Sequence, residues 1–266
     1  MELDPLVGTF IFILGAITGS FLNVCIVRLP HEKSVVFPGS HCVACRTPIQ
    51  WFDNIPLISW LILGGRCRSC KECISFRYWC VELLTALAFF FFYWHYGLHA
   101  VLWPYLIMLS GFIVATFVDF EHRIIPDEVS LGGMVVGVIC SLFVPQLHNV
   151  YSPFLGVGYS FLGILVGGGT IYLMGMIGDF VFKKETMGGG DVKLMGMIGA
   201  FMGWKLALLT FFLAPFFGAI FGIIEKIRTK DSTIAYGPFL IMGALVSLFW
   251  GDLIIHFILT GGIYRL

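Results

Sequence analysis

Long apolar runs separated by short polar connections occupy most of the chain. Runs of about 17 to 25 residues, the length that crosses the hydrocarbon of a bilayer, fall at 6–27, 81–97, 100–118, 129–147, 154–180, 206–224 and 236–256. Each predicts a membrane-spanning helix. A shorter apolar piece at 192–203 precedes the run at 206–224, with Gly203, Trp204 and Lys205 marking a turn between them. A hairpin there returns the chain to its starting side whether or not the short piece crosses. The pattern therefore predicts seven or eight spans, with eight preferred.

One sizeable polar insertion interrupts this pattern. It divides the chain into a first span (1–28), an insertion domain (29–80) and a membrane domain (81–266). Composition agrees with the pattern: 58% of residues are hydrophobic and 12% are charged, with a mean hydropathy of +0.93. A soluble domain is about one quarter charged. The expected class is an all-α polytopic membrane protein with about eight transmembrane helices. The opening "MELDPLVG" carries two acids and no base, which reads as a retained anchor rather than a cleavable signal.

Of the 16 lysines and arginines, 14 fall in the segments 28–80, 119–128, 181–193 and 225–235; only Lys205 and Arg265 lie on the other side. Basic loops stay in the cytoplasm, so these four segments are expected there. The zero net charge is spent on this asymmetry, and no nucleic-acid partner is expected. No internal repeat stands out among the spans.

The insertion carries "CVAC" (Cys42, Cys45) and "CRSC" (Cys67, Cys70), separated by 21 residues. Two such knuckles can give four thiolates to a tetrahedral Zn²⁺. Disulfides are the alternative, but they are rare in the reducing cytoplasm. Four sulfur ligands leave no position for a reacting water, so the zinc would be structural, supporting an insertion too small to build much core. Cys73 lies outside the paired spacing, and His41 reads as a bystander next to Cys42. Cys25, Cys80 and Cys140 read as small buried hydrophobes.

Two acids sit where apolar runs meet this expected cytoplasmic side. Asp119 directly follows the third run, and Asp191 follows Gly188, Gly189 and Gly190 at the mouth of the short piece. Two carboxylates that approach closely share a proton, which is what aspartic-protease chemistry uses. Gly188 and Gly190 would then shape a substrate crevice, through dihedrals closed to other residues and space beside Asp191. The run reads equally well as a flexible turn ahead of a capping Asp191. Asp127 reads as a helix-start acid, and Asp179 and Asp252 as interfacial.

Several blocks in one order resemble the bacterial type IV prepilin peptidases. They are "GSFLNVCIVRLP" (Gly19 to Pro30), the paired C-x-x-C loop, "DNIPLISWLILGGRCRSC" (Asp53 to Cys70) and "ISFRYWCVELL" (Ile74 to Leu84). The series continues with "DFEHRIIPD" (Asp119 to Asp127), "GGGDVKLM" (Gly188 to Met195) and "YGPFL" (Tyr236 to Leu240). One departure is Cys73, where a small or proline-like turn residue is expected. The resemblance implies an intramembrane aspartyl protease of the G-x-G-D type in the bacterial inner membrane, with Asp119 and Asp191 as the catalytic pair facing the cytoplasm. It implies prepilin and pseudopilin substrates, cut after the basic leader, and methylation of the new N-terminus with S-adenosylmethionine. No glycine-rich fingerprint in the insertion identifies the cofactor-binding residues. The rival classes are a proton-coupled transporter, disfavoured because the acids lie at one edge and no repeat is visible, and an inactive scaffold.

Overall fold

A computed structural model describes residues 4–183, 186–229 and 235–260, with backbone alone over 221–229 and at 260. Lys184, Lys230 and Arg265, three of the residues used above for orientation, lie outside the described ones. Among the described residues eight α-helices form and there is no strand, only two isolated bridges in the insertion. They are α1 (Pro5–Arg28), α2 (Ile58–Ile62), α3 (Phe76–Tyr96), α4 (Leu102–His122), α5 (Asp127–Phe143), α6 (Pro153–Phe182), α7 (Gly189–Thr229) and α8 (Gly237–Thr260). Among the described residues, α1, α3, α4, α6, α7 and α8 are long and apolar enough to cross a membrane. The protein is an all-α polytopic membrane protein, as its hydrophobic pattern predicts.

The chain forms two compact units, residues 1–114 and 115–266. In the first, α1 starts at Asp4, whose carboxylate accepts the Leu6 N–H at 2.8 Å, followed by Pro5 at a position that tolerates a missing donor. Ser75 caps α3 in the same way through Arg77 N–H. The two helices pack tightly. A Cβ at Gly15 would lie 2.7 Å from Ala86 Cα, and one at Gly19 2.8 Å from Glu82 Cα. Such close backbone approach is how membrane helices associate without a hydrophobic driving force between them.

In the second unit, α7 holds the architecture. Its Gly203 has φ 74° and ψ 173°, outside helical space and natural only for glycine. A Cβ on Gly167 of α6 would lie 2.5 Å from Met195 O and 3.4 Å from Ala207 Cβ. Twelve residues of straight helix would separate those two neighbours by about 18 Å, so α7 folds back on itself at Gly203. Residues 189–202 run antiparallel to α6, and 204–229 run parallel to it. Counting the two limbs separately and including the 17-residue α5 gives the eight segments expected. The first limb has 14 residues and is about 21 Å long by its rise, shorter than the ~30 Å of hydrocarbon it enters.

Neighbours along the limbs fix which ends lie together. Gly133 and Gly137 of α5 face Met197 and Phe201, so α5 runs parallel to the first limb; Gly243 and Gly251 of α8 face Ala214 and Leu206, so α8 runs antiparallel to the second. The start of α5, the start of α7 and the start of α8 therefore share one end of the unit. At the other end, Ser160 Oγ donates to Ala200 O at 2.8 Å, and His148 Nε2 lies 2.8 Å from Ser141 Oγ.

Candidate active site and metal centre

The last turn of α4 and the starts of α7 and α8 meet at that shared end. Asp119, three residues before the end of α4, is 5% exposed. Its Oδ2 accepts the Gly237 N–H at 3.0 Å. Asp191 is the third residue of α7, with its N–H bonded to Gly188 O at 3.1 Å. Ile125 lies between the two strands of chain: a Cβ at Gly190 would sit 3.2 Å from Ile125 Cβ, and one at Gly237 would sit 3.1 Å from Ile125 Cδ1 and 2.8 Å from Asp119 Oδ2. The structure thus brings together the two aspartates and two glycines singled out in the sequence.

Of the two roles expected for the glycines, dihedrals and space, only one is seen. Gly188, Gly189 and Gly190 do not take left-handed dihedrals; among the described residues the positive-φ glycines are Gly64, Gly65, Gly97 and Gly203. Space is the reason for them instead. A Cβ at Gly188 would lie 3.2 Å from Asp191 Oδ2, while beside Gly189 nothing lies within 4 Å. Asp191 is not the cap of its helix either, because α7 already begins at Gly189.

Three further parts of the site carry little sequence signal. Tyr236 is half-buried, and its carbonyl accepts the Phe239 and Leu240 N–H groups at 3.0 and 3.2 Å, opening α8. Asp179 at the end of α6 accepts both the N–H and the hydroxyl of Thr186, at 2.7 and 2.8 Å, pinning the approach to the glycine run. Asp127 opens α5, as its helix-start reading requires, and also pairs with Lys193 Nζ at 2.6 Å. That ion pair ties α5 to the helix bearing Asp191.

In the insertion, Cys42, Cys45, Cys67 and Cys70 place their sulfurs within 4.8 Å of one another. Cys42 and Cys70 are 3.8 Å apart, and Cys45 and Cys67 are 4.0 Å apart. A tetrahedral Zn²⁺ with ~2.3 Å bonds separates its sulfurs by about 3.8 Å, so the cluster fits a metal ion of that kind. The Thr47 hydroxyl, then its N–H, draw Cys45 down to about 6. Cys70, although the Glu72 N–H pulls it down, is pushed up to about 12 by burial and the three neighbouring sulfurs. Four sulfurs this close can all ionise only with a cation between them.

The two knuckles are built alike. Cys42 N–H bonds Thr47 O and Arg46 N–H bonds Cys42 O; Cys67 N–H bonds Glu72 O and Lys71 N–H bonds Cys67 O. Each ends in an isolated bridge, His41 to Pro48 and Arg66 to Cys73. Cys73 therefore occupies the place that Pro48 holds in the first knuckle. His41 stays out of the sulfur cluster, its Nδ1 2.9 Å from Gly39 O.

Comparison with known proteins adds to this geometry. Residues 13–96, which include the four cysteines, match the family described as Bacterial Peptidase A24 N-terminal domain. Residues 106–223, which include both aspartates, match the Type IV leader peptidase family. The chain is 33% identical over 266 residues to the "Prepilin leader peptidase/N-methyltransferase" of Pseudomonas aeruginosa, covering 90% of this chain and 89% of that protein. It is 34% identical over 260 residues to an Escherichia coli "Type 4 prepilin-like proteins leader peptide-processing enzyme", covering 88% and 91%. A Myxococcus xanthus protein named as the first is 38% identical over 85% of this chain, which spans 65% of that relative's length. No solved structure matches the chain.

Proposed function

We propose that this chain, which belongs to the type IV leader peptidase family, cuts the basic leader from prepilins and pseudopilins with Asp119 and Asp191, then methylates the new N-terminus. The observation that carries the reading is the meeting of these two carboxylates, from separate helices, beside a glycine that leaves open space. One carboxylate, ionised, takes a proton from water as the water oxygen attacks the scissile carbonyl carbon. The other, protonated, gives its proton to the leaving amine nitrogen as the C–N bond breaks. In this scheme Asp191 activates the water, and the Gly237 N–H fixes the orientation of the Asp119 carboxyl. The gap beside Gly189 receives the extended substrate.

The site is assigned to the cytoplasmic face of the bacterial inner membrane, because 14 of 16 basic residues lie on the side of Asp119 and Asp191. A basic leader is held on that side by the same rule, which leaves its junction with the hydrophobic pilin helix at the level of the aspartates. Zinc in the four-cysteine cluster is structural. S-adenosylmethionine supplies the methyl group to the amine that cleavage releases. The insertion's knuckles show no glycine-rich cradle for it, and we assign it no residues.

The test uses the full chain in lipid vesicles with a prepilin and labelled S-adenosylmethionine. Asp119→Asn and Asp191→Asn should each abolish cleavage, while methylation of an already cleaved pilin continues. Normal processing by either variant would overturn the proposed pair.

A further inference from the structure

The insertion contains a stretch that does not behave as a polar loop. Residues 55–63, "IPLISWLIL", carry no charge, although they lie between Asp53 and Arg66. They form α2 and its approach. Ile58, Leu61 and Ile62 are 54%, 60% and 74% exposed, a cluster of large apolar side chains on one short segment. Its other face is held. Trp60 packs against Phe76 and Trp79, with ring centroids 5.4 and 6.3 Å away, and its indole N–H reaches Ile74 O at 3.3 Å.

The depth of this segment follows from its anchor. Leu57 N–H donates to Glu82 Oε2 at 2.7 Å, and Glu82 is six residues into α3, about 9 Å along its axis. With 21 residues, α3 is about 31 Å long, close to the ~30 Å hydrocarbon thickness it must cross. With α3 crossing over its full length Phe76–Tyr96, rather than from residue 81, a segment bonded 9 Å inside it falls below the membrane surface.

The backbone is satisfied as lipid requires. Non-helical chain at membrane depth must find internal partners for its polar groups. Leu57 N–H has Glu82, Ile55 N–H has Ser59 Oγ at 3.0 Å, and Ser59 Oγ donates to Phe52 O at 2.9 Å. At the base of the stretch, Arg68 closes on Asp53 through two bonds of 2.6 and 2.7 Å, and Trp51 stands exposed beside them. Charges and a tryptophan at the rim of an apolar tip are the arrangement found at a membrane interface.

We infer that residues 55–63 form a finger dipping into the leaflet on the insertion's side, with Ile58, Leu61 and Ile62 against lipid and Glu82 as its anchor. The finger leads straight into the second knuckle, so it holds the metal cluster against the membrane surface. This reading rests on the membrane class of the chain and is independent of the proposed peptidase chemistry.

The test places a genetically encoded nitroxide side chain at Ile62 in the full chain, reconstituted in vesicles of phosphatidylethanolamine and phosphatidylglycerol. Val43, exposed in the first knuckle, and Leu87, on α3, serve as water and lipid references. Collisions with oxygen, which partitions into lipid, and with a nickel chelate, which stays in water, are measured at each position. The oxygen-to-nickel collision ratio at Ile62 should match that of Leu87 and exceed that of Val43 several-fold. A ratio at Ile62 equal to that of Val43 would place the stretch in water and overturn the inference. Shielding from both reagents would overturn it too, by showing that protein, such as a second copy of the chain, covers the face. Glu82→Leu, which removes the acceptor, should keep α3 folded and lower the ratio at Ile62; an unchanged ratio would remove Glu82 from the role of anchor.

Discussion

Gly237 contributes to the site twice, through its N–H on Asp119 and through the side chain it lacks. A methyl group there would lie 2.8 Å from Asp119 Oδ2, so Gly237→Ala should turn the carboxyl away. A displacement near 1 Å costs on the order of 10²-fold in rate, and kcat on a prepilin should fall by about that factor with the protein still folded in vesicles. Asp127→Asn has a smaller effect. Its ion pair with Lys193 is between partly exposed groups, worth ~0–1 kcal/mol, and most cleavage activity should survive. Loss of activity in that variant with retention in Asp119→Asn would move the acid–base role to Asp127. The proposed chemistry also sets the pH dependence. As pH falls both carboxylates take protons and no base remains; as it rises both ionise and no acid remains. The cleavage rate should trace a bell, and a sigmoidal profile would mean that one carboxylate is a bystander. At this scale the sequence exposes Asp119 and Asp191, because a carboxylate abutting an apolar run stands out. Tyr236 and Gly237 stand in the "YGPFL" block, but their place at the site needs the fold, since a backbone N–H leaves no mark in a one-letter string.

Among the elements, the crossing of α6 with the first limb of α7 is the tightest. A Cβ at Gly163 or at Gly199 would run into the carbonyl oxygen of the other. Gly163→Val should cost roughly 1–3 kcal/mol, the range for overpacking a close contact, and appear as a lower melting temperature in detergent. Gly169, on the same helix, has nothing within 4 Å; Gly169→Ala should be neutral or stabilise by up to ~1 kcal/mol through helix propensity. The contrast separates crowding from any general intolerance to change in α6. Helix positions were readable because hydrocarbon thickness fixes the length of an apolar run. The turn at Gly203 was readable too, from a glycine followed by a tryptophan and a lysine between two apolar pieces. Of the two reasons the sequence offers for Gly188 to Gly190, only space is present, because a glycine run looks the same in sequence whether it supplies unusual dihedrals or room. Likewise "IPLISWLIL" gives no period long enough to declare itself a membrane segment, and only its anchor to Glu82 sets its depth.

Across the whole molecule, the four-cysteine cluster belongs to the unit of residues 1–114, whereas both aspartates belong to the other. Metal analysis should find about one zinc per chain. Stripping it with a strong chelator should expose the insertion to proteolysis while α5 to α8 remain protected. Reporter fusions after Arg46, Glu121 and Lys184 should all mark the same side, and one after Gln146 the opposite side, as the α5–α6 reversal requires. The bond from Gly237 to Asp119 spans 118 positions of sequence. During synthesis, at 5–20 residues per second, the ribosome needs roughly 6–24 s to supply the second partner after the first. Throughout that interval the nascent chain holds Asp119 in the bilayer with its orienting amide unmade, and for most of it without Asp191. Under the proposed chemistry, a chain assembled in this order cannot cut until α8 has entered the membrane.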